Sequence, residues 1–72
     1  MSKVVDARGR SCPEPVIMAR QGLAQAGTEQ LTVLVDTAVA KENVTRFLLT
    51  VTKKQPTVEQ QADGSWAVSV RP

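Results

Sequence analysis

One cysteine, Cys12, stands in a chain of 72 residues that contains no histidine. It lies in the stretch RGRSCPEPVIMAR, with Arg8 and Arg10 before it and Pro13 and Pro15 after it. The thiolate is a nucleophile and a metal ligand, so this residue is the first candidate for chemistry. Composition narrows what that chemistry can be. Without an imidazole, Cys-His nucleophile pairs and histidine general-base catalysis are excluded. Without a second cysteine, an internal disulfide and a CxxC dithiol cycle are excluded too. No plausible zinc ligand set remains, so neither a metal nor another cofactor is expected. Cys12 either packs as a small hydrophobe, as free cysteines commonly do, or reacts with a group that another molecule brings.

Its neighbours bear on that choice. Proline is favoured at the first helical position, where its missing N–H would be an orphan and its φ is preset. Pro13 therefore predicts a helix start there, with Cys12 at or just before the N-cap; a start at Pro15 would set Cys12 one step further out. Pro15 is tolerated in a first turn, and each proline restrains the residue before it, here Cys12 and Glu14. A helix start carries partial positive charge that favours a thiolate, and cysteines so placed have pKa values lowered to about 3.5–7.5. Arg8, Arg10 and Arg20 add positive charge, Asp6 and Glu14 oppose it, and the two prolines withhold two N–H groups. The expected depression is moderate. These features bring a reactive, partly exposed thiol level with the packed alternative without deciding between them.

The segments that must position the cysteine follow from periodicity. KVVDA, residues 3–7, is a short β-rich run before Gly9 and predicts an edge or first strand. Val16, Ala19, Leu23 and Ala26 recur at helical spacing and predict one buried face, closed by Gly27. Gly22 inside that helix is unfavourable by about 1 kcal/mol relative to alanine, which points to close packing or simple tolerance. QLTVLV, residues 30–35, has the profile of a central strand. Asp36 and Thr37 are cap candidates for a second helix, whose Val44, Phe47, Leu48 and Val51 form an amphipathic stripe that ends by Pro56. Val44, Phe47, Leu48 and Trp66 are assigned to the core.

TVEQQADGSWAVSV predicts a hairpin. Side-chain phase favours a three-residue loop, Ala62-Asp63-Gly64, which pairs Val58 with Val68 and sets Gly64 in a left-handed bulge position. The expected order is β-α-β-α-β-β. That order predicts an α+β two-layer sandwich: a mixed four-stranded sheet with two helices on one face, all of residues 1–72 in one domain. The other face would be open, with Leu34 exposed on it.

The net charge is +2, but the nine basic residues are dispersed and only Lys53 and Lys54 are adjacent. With Phe47 and Trp66 the only aromatics, neither a clustered phosphate footprint nor a base-stacking platform is present, so direct nucleic-acid binding is not expected. No run approaches the roughly 20 apolar residues of a membrane span, and no signal peptide is evident. A lone unpaired cysteine fits a reducing compartment, and the expected location is the cytoplasm.

DARGRSCPEPVIMAR resembles the Cys-Pro-x-Pro signature of the TusA/SirA-like family of sulfur-carrier proteins, and the Asp-x-Arg-Gly lead-in matches at Asp6, Arg8 and Gly9. The similarity continues through LTVLVD and AVAKENVTRFL to the hairpin. The resemblance implies a fold like the C-terminal domain of a bacterial translation initiation factor. It also implies a sulfurtransferase-like carrier in which Cys12 accepts sulfane sulfur as a persulfide and passes it on. The implied partners are a cysteine desulfurase or other persulfide donor, and a downstream acceptor in tRNA thiolation, molybdenum-cofactor assembly or sulfur oxidation. ENVTRF is closer to a branch found as the N-terminal part of longer proteins linked to selenium metabolism. Arg10 stands where the family often has leucine, and KKQP replaces a link that often carries glycine.

On this reading Pro13 and Pro15 set the helix start and the presentation of the sulfur. Arg8 and Arg10 stabilise negative charge or dock an acidic partner, and Glu14 complements the helix dipole. A competing expectation is a non-catalytic regulatory or docking domain excised from a longer selenium-metabolism protein. A redox sensor ranks last, for want of a resolving cysteine.

Overall fold

The computed structural model describes residues 2–11 and 13–71. The elements are β1 (Ser2–Asp6), α1 (Glu14–Ala26), β2 (Gln30–Val35), α2 (Ala38–Thr52), β3 (Thr57–Gln60) and β4 (Trp66–Val70). Strand order is β1-β2-β4-β3, with β1 parallel to β2 and the other two pairs antiparallel. This is the mixed α+β sheet that the element order predicts, with β1 at one edge.

Alternation decides which face carries the helices. Along β2 the side chains run half-buried, buried, half-buried, buried, so the nearly continuous apolar run is covered on one side only. Leu31, Val33 and Val35 face inward beside Val68 and Val70 of β4, and Ala19, Ala26, Ala40, Val44 and Leu48 of the two helices complete the same core. By register, Val4, Asp6, Thr32, Leu34, Ala67 and Ser69 occupy the opposite face, where the Thr32 and Ser69 hydroxyls bond at 3.0 Å. Leu34 is half-buried there, where full exposure was expected.

Helix α1 differs from its predicted face by a small rotation. Its buried line is Pro15, Ala19, Gly22 and Ala26, while Val16 and Leu23 pack on the flank. Gly22 supplies the reason. A Cβ at that position would lie 2.5 Å from Val5 Cγ2 and 3.0 Å from Leu31 Cδ1, so the bare backbone lets the helix seat closely on β1 and β2. In α2 the buried line steps by four through Ala40, Val44 and Leu48 towards the half-buried Thr52. Val51 therefore falls off it and is 50% exposed, against the predicted stripe. Thr37 is the N-cap of α2, its hydroxyl accepting from the Ala40 N–H at 3.1 Å, and the helix ends at Lys53 in the left-handed region. The hairpin keeps the predicted register, Val58 with Val68 and Gln60 with Trp66, and Gly64 has φ +90°.

Candidate functional site

The candidate nucleophile, Cys12, lies outside the described residues; the chain on both sides of it is described. Ser11 and Pro13 are both exposed. Pro13 is the N-cap of α1, so the helix begins at Glu14, one position after the predicted start, and Pro15 sits inside the first turn, fully buried against the core. The difference is small and physical: the Glu14 N–H donates to the Ser11 carbonyl at 2.9 Å, a tight turn that precedes the first helical hydrogen bond, from Ile17 to the Pro13 carbonyl at 3.2 Å.

The loop between β1 and α1 is fixed at several points. The Ala7 N–H extends the β1–β2 ladder to the Leu34 carbonyl at 2.9 Å, and the Arg10 N–H closes a turn onto the Ala7 carbonyl at 3.3 Å. Gly9 has φ +77°, and its N–H donates to Asp36 Oδ2 at 2.9 Å. Asp36 directly follows β2, so the loop is tied to the start of α2 as well. The Arg8 guanidinium grips Asp6 with Nε and Nη2, both at 2.9 Å, and the Arg8 N–H adds a bond to Asp6 Oδ1 at 3.1 Å. Its Nη1 reaches Asp63 Oδ2 at 3.3 Å, at the hairpin turn. Arg10, in the loop, pairs with Glu14 of the first turn of α1 at 3.5 Å.

These contacts set the electrostatics. The Arg8 side-chain bond, helped by the Arg8 N–H, holds the Asp6 carboxyl down at about 2. The same Asp6 contact pushes the Arg8 guanidinium further up. Asp63 is lowered chiefly by the Ser65 hydroxyl, then by the Ser65 N–H, with Arg8 adding to both. Of the residues singled out in the sequence, Asp6 and Arg8 meet directly, as do Arg10 and Glu14, so both arginines of the loop are engaged by carboxylates.

Two grooves flank the site. One, of about 430 Å³, is lined by Gly9, Arg10, Ser11, Asp36, Thr37 and Val39; the other, of about 450 Å³, runs between the helices past Pro13, Val16, Asn43, Arg46, Phe47 and Thr50. Asp36 and Asp63, which contact Gly9 and Arg8 of the β1–α1 loop, are the contacts that sequence reasoning missed. The sequence offers Asp36 only as a cap candidate and Asp63 only as a turn residue. The available signal for Asp36 was its place just past the carboxyl end of a parallel strand, where loops converge.

A mixed four-stranded sheet with two helices on one face, and a Cys-Pro-x-Pro segment joining β1 to α1, defines a small open-faced α+β sandwich. The family profile that matches is Sulfurtransferase TusA, over residues 3–71, and the chain belongs to that family. The crystal structure of a SirA-like protein from Desulfitobacterium hafniense superposes with a TM-score of 0.82 at 30% identity, covering 99% of this chain and 96% of that one. No curated protein matches. Membership places the chain among sulfur carriers that pass sulfur between proteins. No helix among the described residues is long and apolar enough to cross a membrane.

Proposed function

We propose that Cys12 is the carrier atom's anchor: it accepts sulfane sulfur as a persulfide and yields it to a partner protein. The Cys12 thiolate attacks the outer sulfur of a donor cysteine persulfide. The donor S–S bond breaks, the donor leaves as a thiolate, and Cys12 holds the sulfur as Cys–S–SH. An acceptor nucleophile then attacks the outer sulfur, and Cys12 leaves as a thiolate. Each half exchanges one sulfur–sulfur bond or its equivalent for another, without an external oxidant.

The observation that carries this reading is the setting of the chain's one cysteine, between the exposed Ser11 and Pro13 at the mouth of α1, in a chain of the TusA family. A site between two exposed neighbours suits a sulfur that must be reached by two different proteins in turn. A cysteine desulfurase or other persulfide donor would load it, in the cytoplasm, and the acceptor would belong to tRNA thiolation, molybdenum-cofactor assembly, sulfur oxidation or selenium metabolism.

The test is incubation with a cysteine desulfurase and cysteine, read by intact mass. One added sulfur that reductant removes, and that Cys12→Ala abolishes, is expected. No adduct, with partner binding preserved in Cys12→Ala, would make the chain a docking domain instead.

A further inference from the structure

We propose that Asp63 is a positioning residue for Cys12, acting through Arg8: the bridge from the β3–β4 turn to the β1–α1 loop fixes where that loop presents the cysteine. The inference rests on the carrier reading above.

Arg8 and Asp63 are 55 positions apart. Strand β2 lies between β1 and β4 in the sheet, so Arg8 spans two inter-strand steps, about 10 Å, to reach the turn. What it crosses is Leu34, whose depression on the open face is lined by Arg8, Gln61, Ala62, Asp63 and Ser65. That cover accounts for the half-buried state of an apolar side chain on a face with no helix.

Asp63 is built to receive the bridge. Its Oδ1 accepts from the Ser65 N–H at 3.0 Å and the Ser65 hydroxyl at 2.6 Å, and Ser65 is itself buried. The turn thus orients the carboxylate and leaves Oδ2 directed at Arg8. Asp6 cannot do the same work. It is only two residues from Arg8 and belongs to β1, so its grip ties Arg8 back to its own strand and not to the hairpin turn.

Consecutive loop residues are therefore held by carboxylates from two other elements, Arg8 by Asp63 and Gly9 by Asp36. Releasing the first leaves the loop tied to β2 and to the start of α2, through Ala7 and Gly9, but no longer to the hairpin turn. Exposed ion pairs bias an equilibrium by up to about fivefold, which sets the scale of the effect.

The experiment compares wild type, Asp63→Asn and Asp63→Glu. Asparagine retains an oxygen for the Ser65 bonds and loses the charge that holds Arg8. Three readouts are taken: the rate of sulfur loading at saturating donor alongside donor affinity, the alkylation rate of Cys12 by iodoacetamide, and the backbone amide spectrum. Asp63→Asn is expected to slow loading at saturation by about two- to fivefold at unchanged donor affinity. It should also change the alkylation rate and shift the amide signals of Arg8, Gly9 and Ser11, with Asp63→Glu restoring all three. Wild-type loading and wild-type loop signals in Asp63→Asn would overturn the proposal, as would a loss confined to donor affinity. If the wild-type chain takes up no sulfur, the carrier reading falls separately. The alkylation rates and amide signals then decide the bridge alone, and unchanged values overturn it.

Discussion

Replacing Gly22 by alanine sets two opposed effects against each other in one methyl group. In a helix interior alanine is favoured over glycine by about 1 kcal/mol. At this site, however, the new Cβ would lie 2.5 Å from Val5 Cγ2 and 3.0 Å from Leu31 Cδ1. Carbon pairs settle at roughly 3.5–4.0 Å, so about 1 Å must be found at Val5 and about half that at Leu31. Neither neighbour yields easily. Val5 is β-branched, and driving its χ1 off a rotamer by ~30° costs about 0.5–1.5 kcal/mol. Leu31 is fully buried in the core. Overpacking of this kind destabilises by about 1–3 kcal/mol. Against the helical gain, Gly22→Ala should lose about 1 kcal/mol net, a fall in Tm of roughly 4–8 °C for a domain of this size.

Urea unfolding followed by far-UV circular dichroism tests this with a double-mutant cycle. Val5→Ala removes the methyl that the new Cβ meets first, so Gly22→Ala in that background should be neutral or stabilising. The coupling should be about 1 kcal/mol, well above the ~0.3–0.5 kcal/mol scatter of independent sites. A rise in midpoint for Gly22→Ala alone, or simple additivity in the double variant, would refute the close seating of α1 on β1.

Three further outcomes follow from individual contacts. Thr37→Ala removes the acceptor for the Ala40 N–H and should lower stability by about 1 kcal/mol in the same assay; an unchanged midpoint would mean that the cap contributes nothing. Gly9→Ala meets no atom within 4 Å of the new Cβ, so its penalty is that of φ +77° alone, about 1–2 kcal/mol, and Gly9→Asn should be milder because asparagine tolerates that region. The Asp6 carboxyl, lowered from 3.8 to about 2 by Arg8, should titrate near 2 in an NMR-detected titration. Because the folded value is the depressed one, the stability it contributes is complete above its ordinary range and is lost as pH falls through the folded value. Asp6→Asn should therefore flatten the stability profile between about pH 4 and pH 2, and an Asp6 midpoint at its ordinary position would sink the Arg8 grip.

Periodicity and turn chemistry carried most of the fold. The Val58–Val68 register was legible because a two-residue turn would have put Trp66 in phase with Glu59 and Gln61. The end of α2 before Pro56 followed from proline's missing donor. What periodicity could not show was distance. Val16 and Leu23 fit the α1 stripe as well as Pro15 and Gly22 do, and only the near contact with Val5 tells which line lies against the sheet. Val51 fits an ideal helix face, but the buried line steps by four towards Thr52. The loop was half legible in the same way. Asp6, Arg8 and Gly9 stand together in the motif, whereas Asp36 and Asp63 come from positions whose local roles, cap and turn, already explained them. A residue with one adequate local reason gives no sequence signal of a second, long-range one.

The charge arrangement around the loop bears on how a carrier must work. A thiol that loads and unloads sulfur is the attacking group in one half-reaction and the leaving group in the next. Lowering its pKa weakens it as a nucleophile while improving it as a leaving group. A free arginine beside the sulfur would favour the second half at the expense of the first. Here Arg8 is shared between Asp6 and Asp63, Arg10 is paired with Glu14, and Asp36 adds a further carboxylate at Gly9. Two prolines at the helix mouth withhold N–H groups that would otherwise stabilise an anion. On the proposed reading, the arginines of the motif, each paired with a carboxylate, hold the loop in place, and the direction of transfer is assigned to whichever partner is docked.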